Sequence, residues 1–276
     1  MNILDTIVAY TKTRIAEQKL NKSLEQVKEE AELLAEQGCM RQTFKEAIGQ
    51  PGLSFICECK KASPSKGILA ADFRYLQLAQ QYETAGAAAI SVLTEPHWFL
   101  GRDEYLQKVA ATVSIPCLRK DFVVDSYMLY EAKILGAQAV LLIASILTDA
   151  ELKEYLTIVK ALAMDALVEV HDEAELKRAL AQGAEIIGAN NRNLHDFSVD
   201  IGISAKIKAL LPPEVLFVAE SGMLTRNDIE TVERMGADAV LAGEAFVKST
   251  DVAAKLKELQ GKPKMYRSEG KQHDEN

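Results

Sequence analysis

The sequence lacks the cysteine and histidine patterns that mark metal and redox sites. Four of its 276 residues are cysteines, and no two of them form a C-x-x-C pair. We therefore expect buried, reduced thiols rather than a zinc ribbon or a dithiol centre. The chain also has no HExxH motif and no Cys/His cluster at zinc spacing, so the sequence predicts no metal.

Positive charge and long apolar runs are also scarce. The formal net charge is -8, which disfavours general binding to nucleic acid or to an anionic membrane. The longest apolar run, Ala137 to Ile146, contains Gln138 and is about half of the ~20 residues that a membrane helix needs. No signal-peptide pattern is recognised, so we expect a cytoplasmic protein without nucleic-acid or membrane partners. A phosphate ligand would need a concentrated local group of cations.

The residues that are present suit a large core, because 48% are hydrophobic and 26% are charged. From Leu53 onward, short apolar runs alternate with amphipathic segments, which is typical of βα units around a parallel sheet. Eight strands are predicted, each followed by a helical pattern: Ser54–Lys60, Ala88–Leu93, Ile115–Lys120, Ala139–Ala144, Ala166–Val170, Ile186–Asn190, Leu216–Glu220 and Ala239–Ala242.

A glycine–alanine pair precedes each even-numbered strand, beginning at Gly86, Gly136, Gly183 and Gly236. Glycine is favoured just after a helix, so each pair predicts a helix end. The repeat unit is thus two βα modules, and four copies make eight strands. Alternate strands build the interior layers of a closed barrel. The difference between odd-numbered and even-numbered strands therefore favours an α/β fold with a single (βα)8 TIM barrel over an open sheet.

Two helices are predicted before the first strand. One covers residues 2–19, and the other runs from a capping box at Ser23 and Gln26 to about Gln37. Residues 1–52 would form an N-terminal helical extension, and residues 53–260 would form the barrel. Residues 261–276 are polar, and we expect a poorly ordered tail there.

Charged side chains stand at the carboxyl ends of the odd-numbered strands, where barrel active sites lie. A period of two places Glu58 and Lys60 on one face of the first strand. Lys120, Glu169 and Glu220 stand at the ends of the third, fifth and seventh strands. A single charged strand end often only begins a solvated loop, but four at alternating strands indicate a converging acid/base site.

Asn190 and Arg192 follow the sixth strand at the same parity. The guanidinium group of Arg192 suits a substrate carboxylate or hydroxyl groups. The alternative is a structural salt bridge between Arg192 and Asp196 or Asp200.

Glycines follow the last two strands, in the pairs Ser221-Gly222 and Gly243-Glu244. Barrels commonly bind phosphate at these two positions, through backbone N–H groups and the N-terminus of a short helix. The pairs therefore predict a phosphate site.

Five segments that follow predicted strands form a further pattern. The first is Glu58–Gly67, which reads ECKKASPSKG. The others are LTEP at Leu93–Pro96, LRKDF at Leu118–Phe122, NNRNL at Asn190–Leu194 and AESG at Ala219–Gly222. In order and spacing they resemble the indole-3-glycerol-phosphate synthase family of tryptophan biosynthesis, over about residues 1–260.

The resemblance implies a (βα)8 barrel whose N-terminal helical segment lies against the catalytic face. It implies conversion of 1-(2-carboxyphenylamino)-1-deoxyribulose 5-phosphate to indole-3-glycerol phosphate by a carboxy-lyase, with release of carbon dioxide and water. The substrate is a small phosphorylated molecule, and neither a metal nor an organic cofactor is implied. We expect a monomer, and association with other tryptophan-pathway enzymes stays open.

The resemblance also implies roles for single residues. Lys120 would protonate the ribulose carbonyl, and Glu169 would assist proton removal during dehydration. Lys60, paired with Glu58, would share the acid work, and Asn190 completes the catalytic set. The implied substrate-binding residues are Phe122 for the aromatic ring, Arg192 for hydroxyls and carboxylate, Ser63, Ser221, Gly222, Gly243 and Glu244 for the phosphate, and Glu220 and Leu241 at the mouth.

Two positions depart from the family pattern. Gly101-Arg102 stands where many relatives have Gly-Ser, and Glu244 stands where others have serine, so it offers its N–H but no hydroxyl. Other functions remain open for such a barrel: an isomerase of phosphorylated ribulose derivatives, an aldolase that forms a Schiff base on lysine, or a catalytically silent scaffold.

Overall fold

The computed structural model describes residues 3–38, 42–193, 197–247, 249 and 251–261. Three helices come first: α1 (Ile3–Asn21), α2 (Leu24–Glu36) and α3 (Phe44–Ile48). Both predicted N-terminal helices are confirmed, but the predicted number of two is wrong because α3 follows them. The predicted capping box at Ser23 is confirmed, but Thr43 and Glu46 form a second one that opens α3. Five residues are too few for apolar periodicity to show, and only the T-x-x-E signal indicated this helix.

The eight predicted strands are confirmed, with boundaries that differ by at most two residues. They are β1 (Ser54–Cys59), β2 (Ala89–Leu93), β3 (Cys117–Lys120), β4 (Ala139–Ile143), β5 (Asp165–Val170), β6 (Ile186–Asn190), β7 (Leu216–Glu220) and β8 (Ala239–Ala242). Neighbouring strands pair in parallel, and β8 pairs with β1, which closes the sheet into a barrel. Strand β3 begins two residues later than predicted, after Pro116, which has no N–H to donate to the ladder.

Helices alternate with the strands outside the barrel: α4 (Tyr75–Thr84), α5 (Asp103–Thr112), α6 (Tyr127–Ile134), α7 (Asp149–Ala161), α8 (Glu173–Ala181), α9 (Gly202–Lys208), α10 (Arg226–Arg234), α11 (Glu244–Val247) and α12 (Val252–Gln260). The loop predicted after the first strand contains a small antiparallel hairpin, in which Ala62–Ser63 pairs with Gly67–Ile68. The four glycines before the even-numbered strands have positive φ angles, which confirms them as helix ends.

Two apolar layers follow from the alternation of side chains along the strands. One layer lies between the sheet and the outer helices. The other fills the barrel, where Ile56, Leu118 and Leu167 pack together with Phe44 and Ile48 of α3. The Lys45 backbone N–H donates to Asp165 Oδ2 at the start of β5 over 2.8 Å. Helix α3 therefore covers the amino-terminal end of the barrel, which leaves the opposite end for a ligand.

Two features of the chain bear on the remaining expectations. No helix in the part of the chain that the structure describes is long and apolar enough to cross a membrane. The predicted tail falls, apart from Gly261, on residues 262–276, which lie outside the described residues. Its order stays a prediction.

Candidate active site

A cavity opens at the carboxyl ends of the barrel strands. Every residue that the sequence suggested as catalytic or substrate-binding lines this cavity: Glu58, Lys60, Ser63, Lys120, Phe122, Glu169, Asn190, Arg192, Glu220, Ser221, Gly222, Leu241, Gly243 and Glu244. Strand parity explains the convergence, because side chains two residues apart leave a strand on the same face. The placement agrees with the prediction, while the role of each residue stays a prediction.

A lysine and two carboxylates meet at the centre of the cavity. Lys120 Nζ lies 3.4 Å from Glu169 Oε2 and 3.6 Å from Glu220 Oε2. The carboxylate side chains are 2% exposed and the lysine side chain 16%. The three groups come from β3, β5 and β7, so the odd-numbered strands place alternating charges within reach of one ligand.

The charges in this cluster stabilise one another. Burial disfavours the charged form of Lys120, but the carboxylates of Glu169, Glu220 and Glu58 outweigh it and hold the pKa of Lys120 above its usual range. Burial likewise opposes ionisation of Glu169, yet Lys120 and His171 lower the pKa of this carboxyl. Lys120 is thus protonated and Glu169 ionised at neutral pH, which suits one as an acid and the other as a base.

Glu220 has a different environment from Glu169. Burial, with repulsion from Glu169 and Glu58, raises the pKa of Glu220 to about 8 against the attraction of Lys120. Its Oε1 atom is buried and has no hydrogen-bond partner among the residues that the structure describes. A Cβ added at Gly188 would lie 2.1 Å from that oxygen, so glycine in β6 leaves the space that the Glu220 side chain occupies.

The second lysine is paired as the strand period predicts. Lys60 Nζ lies 2.5 Å from Glu58 Oε1, and both side chains are largely buried. A Cβ on Gly243 would meet Glu58 Oε1 at 2.8 Å. The glycine after β8 is therefore needed for the close approach of Glu58, as well as for any phosphate that binds there.

One wall of the cavity is apolar and comes partly from the N-terminal extension. Phe122, Leu141 and Ile143 line it from the barrel, and Ile3, Leu4 and Ile7 line it from α1. Sequence reasoning placed the extension near the mouth but did not identify these three side chains. The apolar spacing of α1 was visible, but which face it buries depends on the barrel.

The opposite side carries the residues suggested for phosphate. Ser221 and Gly222 are both in the left-handed region, at φ 66° and 87°. Glu244, the first residue of α11, pairs with Lys66 and, at 3.2 Å, with Arg192 Nη2. The alternative salt bridge from Arg192 to Asp200 is wrong, because the structure pairs Arg192 with Glu244; Asp196 lies outside the described residues.

Lys66 is a cavity residue that sequence reasoning missed, since its segment was interpreted only as a loop. The hairpin at residues 62–68 brings it across the mouth to Glu244. Lys66 and Arg192 both pair with Glu244, beside the glycine turn after β8 where the sequence predicts a phosphate site.

A buried ionic network supports β3 behind Lys120. Arg119 is fully buried and its guanidinium group reaches Asp103, Glu131 and the Met128 carbonyl at 2.7–2.9 Å. Asp121 is equally buried and pairs with Arg14 of α1 at 3.0 Å. Burial opposes ionisation of Asp121, but Arg14 and Arg119 lower its pKa. The residues on both sides of Lys120 are therefore held in place, and one is held by the N-terminal extension.

The described ranges contain no group of three or more His, Cys, Asp or Glu side chains placed to hold a metal ion. The fold and the cavity define a (βα)8-barrel enzyme with an acid/base cluster at its mouth. A family model for indole-3-glycerol phosphate synthase matches residues 4–259. The chain belongs to the indole-3-glycerol phosphate synthase family.

Individual relatives agree with the family match. The chain is 50% identical over 257 residues to the indole-3-glycerol phosphate synthase of Endomicrobium trichonymphae, covering 93% of this chain and 99% of the relative. It is 49% identical over 259 residues to that of Ruminiclostridium cellulolyticum, covering 94% and 99%.

More distant solved structures share the fold. A 3-hexulose-6-phosphate synthase has a TM-score of 0.59 at 17% identity, over 75% of this chain and 98% of that chain. The tryptophan synthase complex of Pyrococcus furiosus has a TM-score of 0.56 at 15% identity, over 75% and 97%. These similarities concern the barrel alone.

Proposed function

We propose that this chain catalyses the closure of 1-(2-carboxyphenylamino)-1-deoxyribulose 5-phosphate to indole-3-glycerol phosphate, a step of tryptophan biosynthesis. The observation that carries the proposal is the Lys120–Glu169–Glu220 cluster at the centre of a cavity with one apolar and one cationic side. Membership of the family supports the same reaction. The three described cysteines are buried free thiols, which fits the cytoplasmic location that we also propose.

The acid step rests on Lys120. The ring carbon that bears the carboxylate attacks the ribulose carbonyl, and the carbonyl oxygen takes a proton from the Lys120 ammonium group to become a hydroxyl. The bond to the carboxylate then breaks, carbon dioxide leaves, and the electron pair returns to the ring. A lysine with a raised pKa is fully protonated before the step, as an acid must be.

The dehydration step needs an acid and a base. The hydroxyl leaves as water after taking a proton, and a carbon-bound proton passes to the Glu169 carboxylate. Lys60, held by Glu58 at 2.5 Å, is a second ammonium group on the same cavity and shares the acid work. The lowered pKa of Glu169 keeps the carboxylate ready for the proton it takes.

The two sides of the cavity orient the substrate. Phe122 and the side chains of α1 offer an apolar surface for the anthranilate ring. The glycine turns after β7 and β8, with Lys66, bind the phosphate. Asn190 accepts a hydrogen bond from the Arg192 N–H at 3.0 Å, which sets the turn that presents both residues to the hydroxyl and carboxylate groups.

The test is incubation of the purified protein with the anilino-ribulose phosphate in the presence of EDTA. We expect indole fluorescence to appear together with one equivalent of carbon dioxide. Failure to form indole-3-glycerol phosphate would contradict the proposal. Borohydride added with the substrate tests the aldolase alternative: irreversible labelling of Lys120 would favour a Schiff base, whereas the raised pKa leaves little free amine to form one.

A further inference from the structure

His171 is a half-buried titratable residue that the steps above do not use. It directly follows β5, two residues after Glu169. It does not line the cavity, yet its Nε2 atom is buried and lies 3.5 Å from Glu169 Oε1. That nitrogen has no hydrogen-bond partner within the described part of the chain. The ring therefore directs a titratable nitrogen toward Glu169, the proposed base.

The orientation of the ring is fixed from the other side. Glu175, in the first turn of α8, accepts a hydrogen bond from the His171 backbone N–H at 2.8 Å. The same carboxylate oxygen lies 3.2 Å from the Nδ1 atom of the ring. Because a carboxylate only accepts, Nδ1 carries a hydrogen, and Nε2 is left to bind or release a proton on the side of Glu169.

The charged groups around His171 favour its imidazolium form. Burial opposes the charge, but Glu175 on α8, Glu169 on β5 and Glu220 on β7 raise the pKa of His171 above its ordinary value. The side chain is 22% exposed, so water reaches the ring. His171 is thus placed between solvent and Glu169, among carboxylates that favour its protonated form.

The proposed reaction creates a need for such a proton. Its substrate carries a carboxylate anion, and that group leaves as neutral carbon dioxide while a hydroxyl leaves as water. Two protons are donated, to the carbonyl oxygen and to the leaving hydroxyl, and one is recovered from carbon. One proton must therefore enter the cluster from solvent in each turnover.

We propose that His171, held by Glu175, is a positioning residue that delivers this proton to Glu169; the inference rests on the proposed function. The Nε2–H bond breaks, an O–H bond forms on Glu169, and the electron pair stays on nitrogen. After its carboxyl group turns, Glu169 passes a proton to the neutral amine of Lys120, 3.4 Å from its other oxygen. Because the Nε2 atom is buried, neutral His171 regains its proton from solvent when its hydrogen bond to Glu175 opens and the partly exposed ring turns this atom outward.

The first experiment compares His171→Gln and Glu175→Gln with the wild type, and uses the exposed His97→Gln as a matched control. We expect kcat to fall by about 10-fold or more in both variants at pH values where wild-type His171 still carries its proton, with KM unchanged, because neither side chain lines the cavity. Activity should recover toward low pH, where solvent protonates Glu169 directly. His171→Ala should be partly rescued by added imidazole, and His97→Gln should behave as the wild type.

Wild-type pH profiles in both His171→Gln and Glu175→Gln, with product still formed, would overturn the inference and leave the proposed function standing. Absence of product with the wild type would contradict the proposed function instead. A second measurement needs no turnover and no stable His171 variant: NMR titration of the histidine rings. We expect neutral His171 to carry its hydrogen on Nδ1, and we expect the pKa of His171 to be lower in Glu169→Gln than in the wild type. A His171 titration that is the same in Glu169→Gln and the wild type would overturn the inference.

Discussion

At the scale of single residues, the raised pKa of Glu220 predicts how the free energy of unfolding depends on pH. Burial raises the pKa of Glu220 from its ordinary 4.5 to about 8. The contribution of Glu220 to the free energy of unfolding is therefore greatest below pH 4.5, and it falls as the pH rises to about 8. Glu220→Gln removes this pH-dependent loss. The free energy of unfolding of the variant, relative to that of the wild type, should therefore rise by up to about 1.4 kcal/mol per pH unit across that range.

Urea unfolding at several pH values measures the difference, with the exposed Glu214→Gln as the control. The difference between Glu220→Gln and the wild type should rise with pH and level off above about 8, while Glu214→Gln should show no comparable trend. A difference that does not change with pH would show that Glu220 is ionised throughout.

The position of Glu244 predicts how its charge affects the affinity for a phosphorylated ligand. Its carboxylate neutralises Lys66 and Arg192 and repels a phosphate dianion at the same place. Glu244→Ser removes the charge and keeps the backbone N–H, so binding of the phosphorylated product should be unchanged or tighter. Calorimetric Kd values for indole-3-glycerol phosphate and its dephosphorylated analogue check this, with the exposed Glu104→Ser as the control. Weaker binding of the phosphorylated ligand alone would contradict the assignment.

Strand parity made most of these residues predictable. Glu58, Lys60, Lys120, Glu169 and Glu220 stand at strand ends, so a local pattern was enough to bring them to one mouth. Their partners from distant segments were not predictable. The pairing of Lys66 with Glu244 joins positions 178 residues apart, and nothing local in the sequence specifies such a contact.

At the scale of secondary-structure elements, α1 is tied to the barrel by two ion pairs of different burial. Arg14 pairs with Asp121, whose side chain is fully buried, and Lys19 pairs with Asp125, of which 31% is exposed. Arg14→Met leaves the buried Asp121 carboxylate with Arg119, at 3.8 Å, as its remaining cation in the described part of the chain, and should lower the free energy of unfolding by about 3 kcal/mol. Lys19→Met should cost less than about 1 kcal/mol.

Chemical denaturation of the two variants gives the comparison directly, because both substitutions lie on α1 and both replace a cationic side chain with methionine. Equal losses for Arg14→Met and Lys19→Met would show that burial of Asp121 does not govern how α1 is held.

The elements themselves were predictable where they repeat. Glycine–alanine pairs and alternating apolar runs located all eight strands to within two residues. Helix α3 and the hairpin at residues 62–68 were not predicted, because each is too short to show a period. Both are positioned by contacts with the barrel, α3 through Asp165 and the hairpin through Lys66 and Glu244.

At the scale of the whole molecule, the barrel brings an ammonium group from β3 and a carboxylate from β5 to one cavity, and we assign the ammonium group to acid catalysis. Lys120→Ala removes the ammonium group without touching the apolar wall or the phosphate side. The most direct measurement is therefore kcat for formation of indole-3-glycerol phosphate by wild type and Lys120→Ala, beside the exposed Lys108→Ala and with substrate affinity measured separately. We predict that kcat falls by at least ~100-fold in Lys120→Ala while affinity changes much less. Turnover by Lys120→Ala close to that of Lys108→Ala would contradict the account.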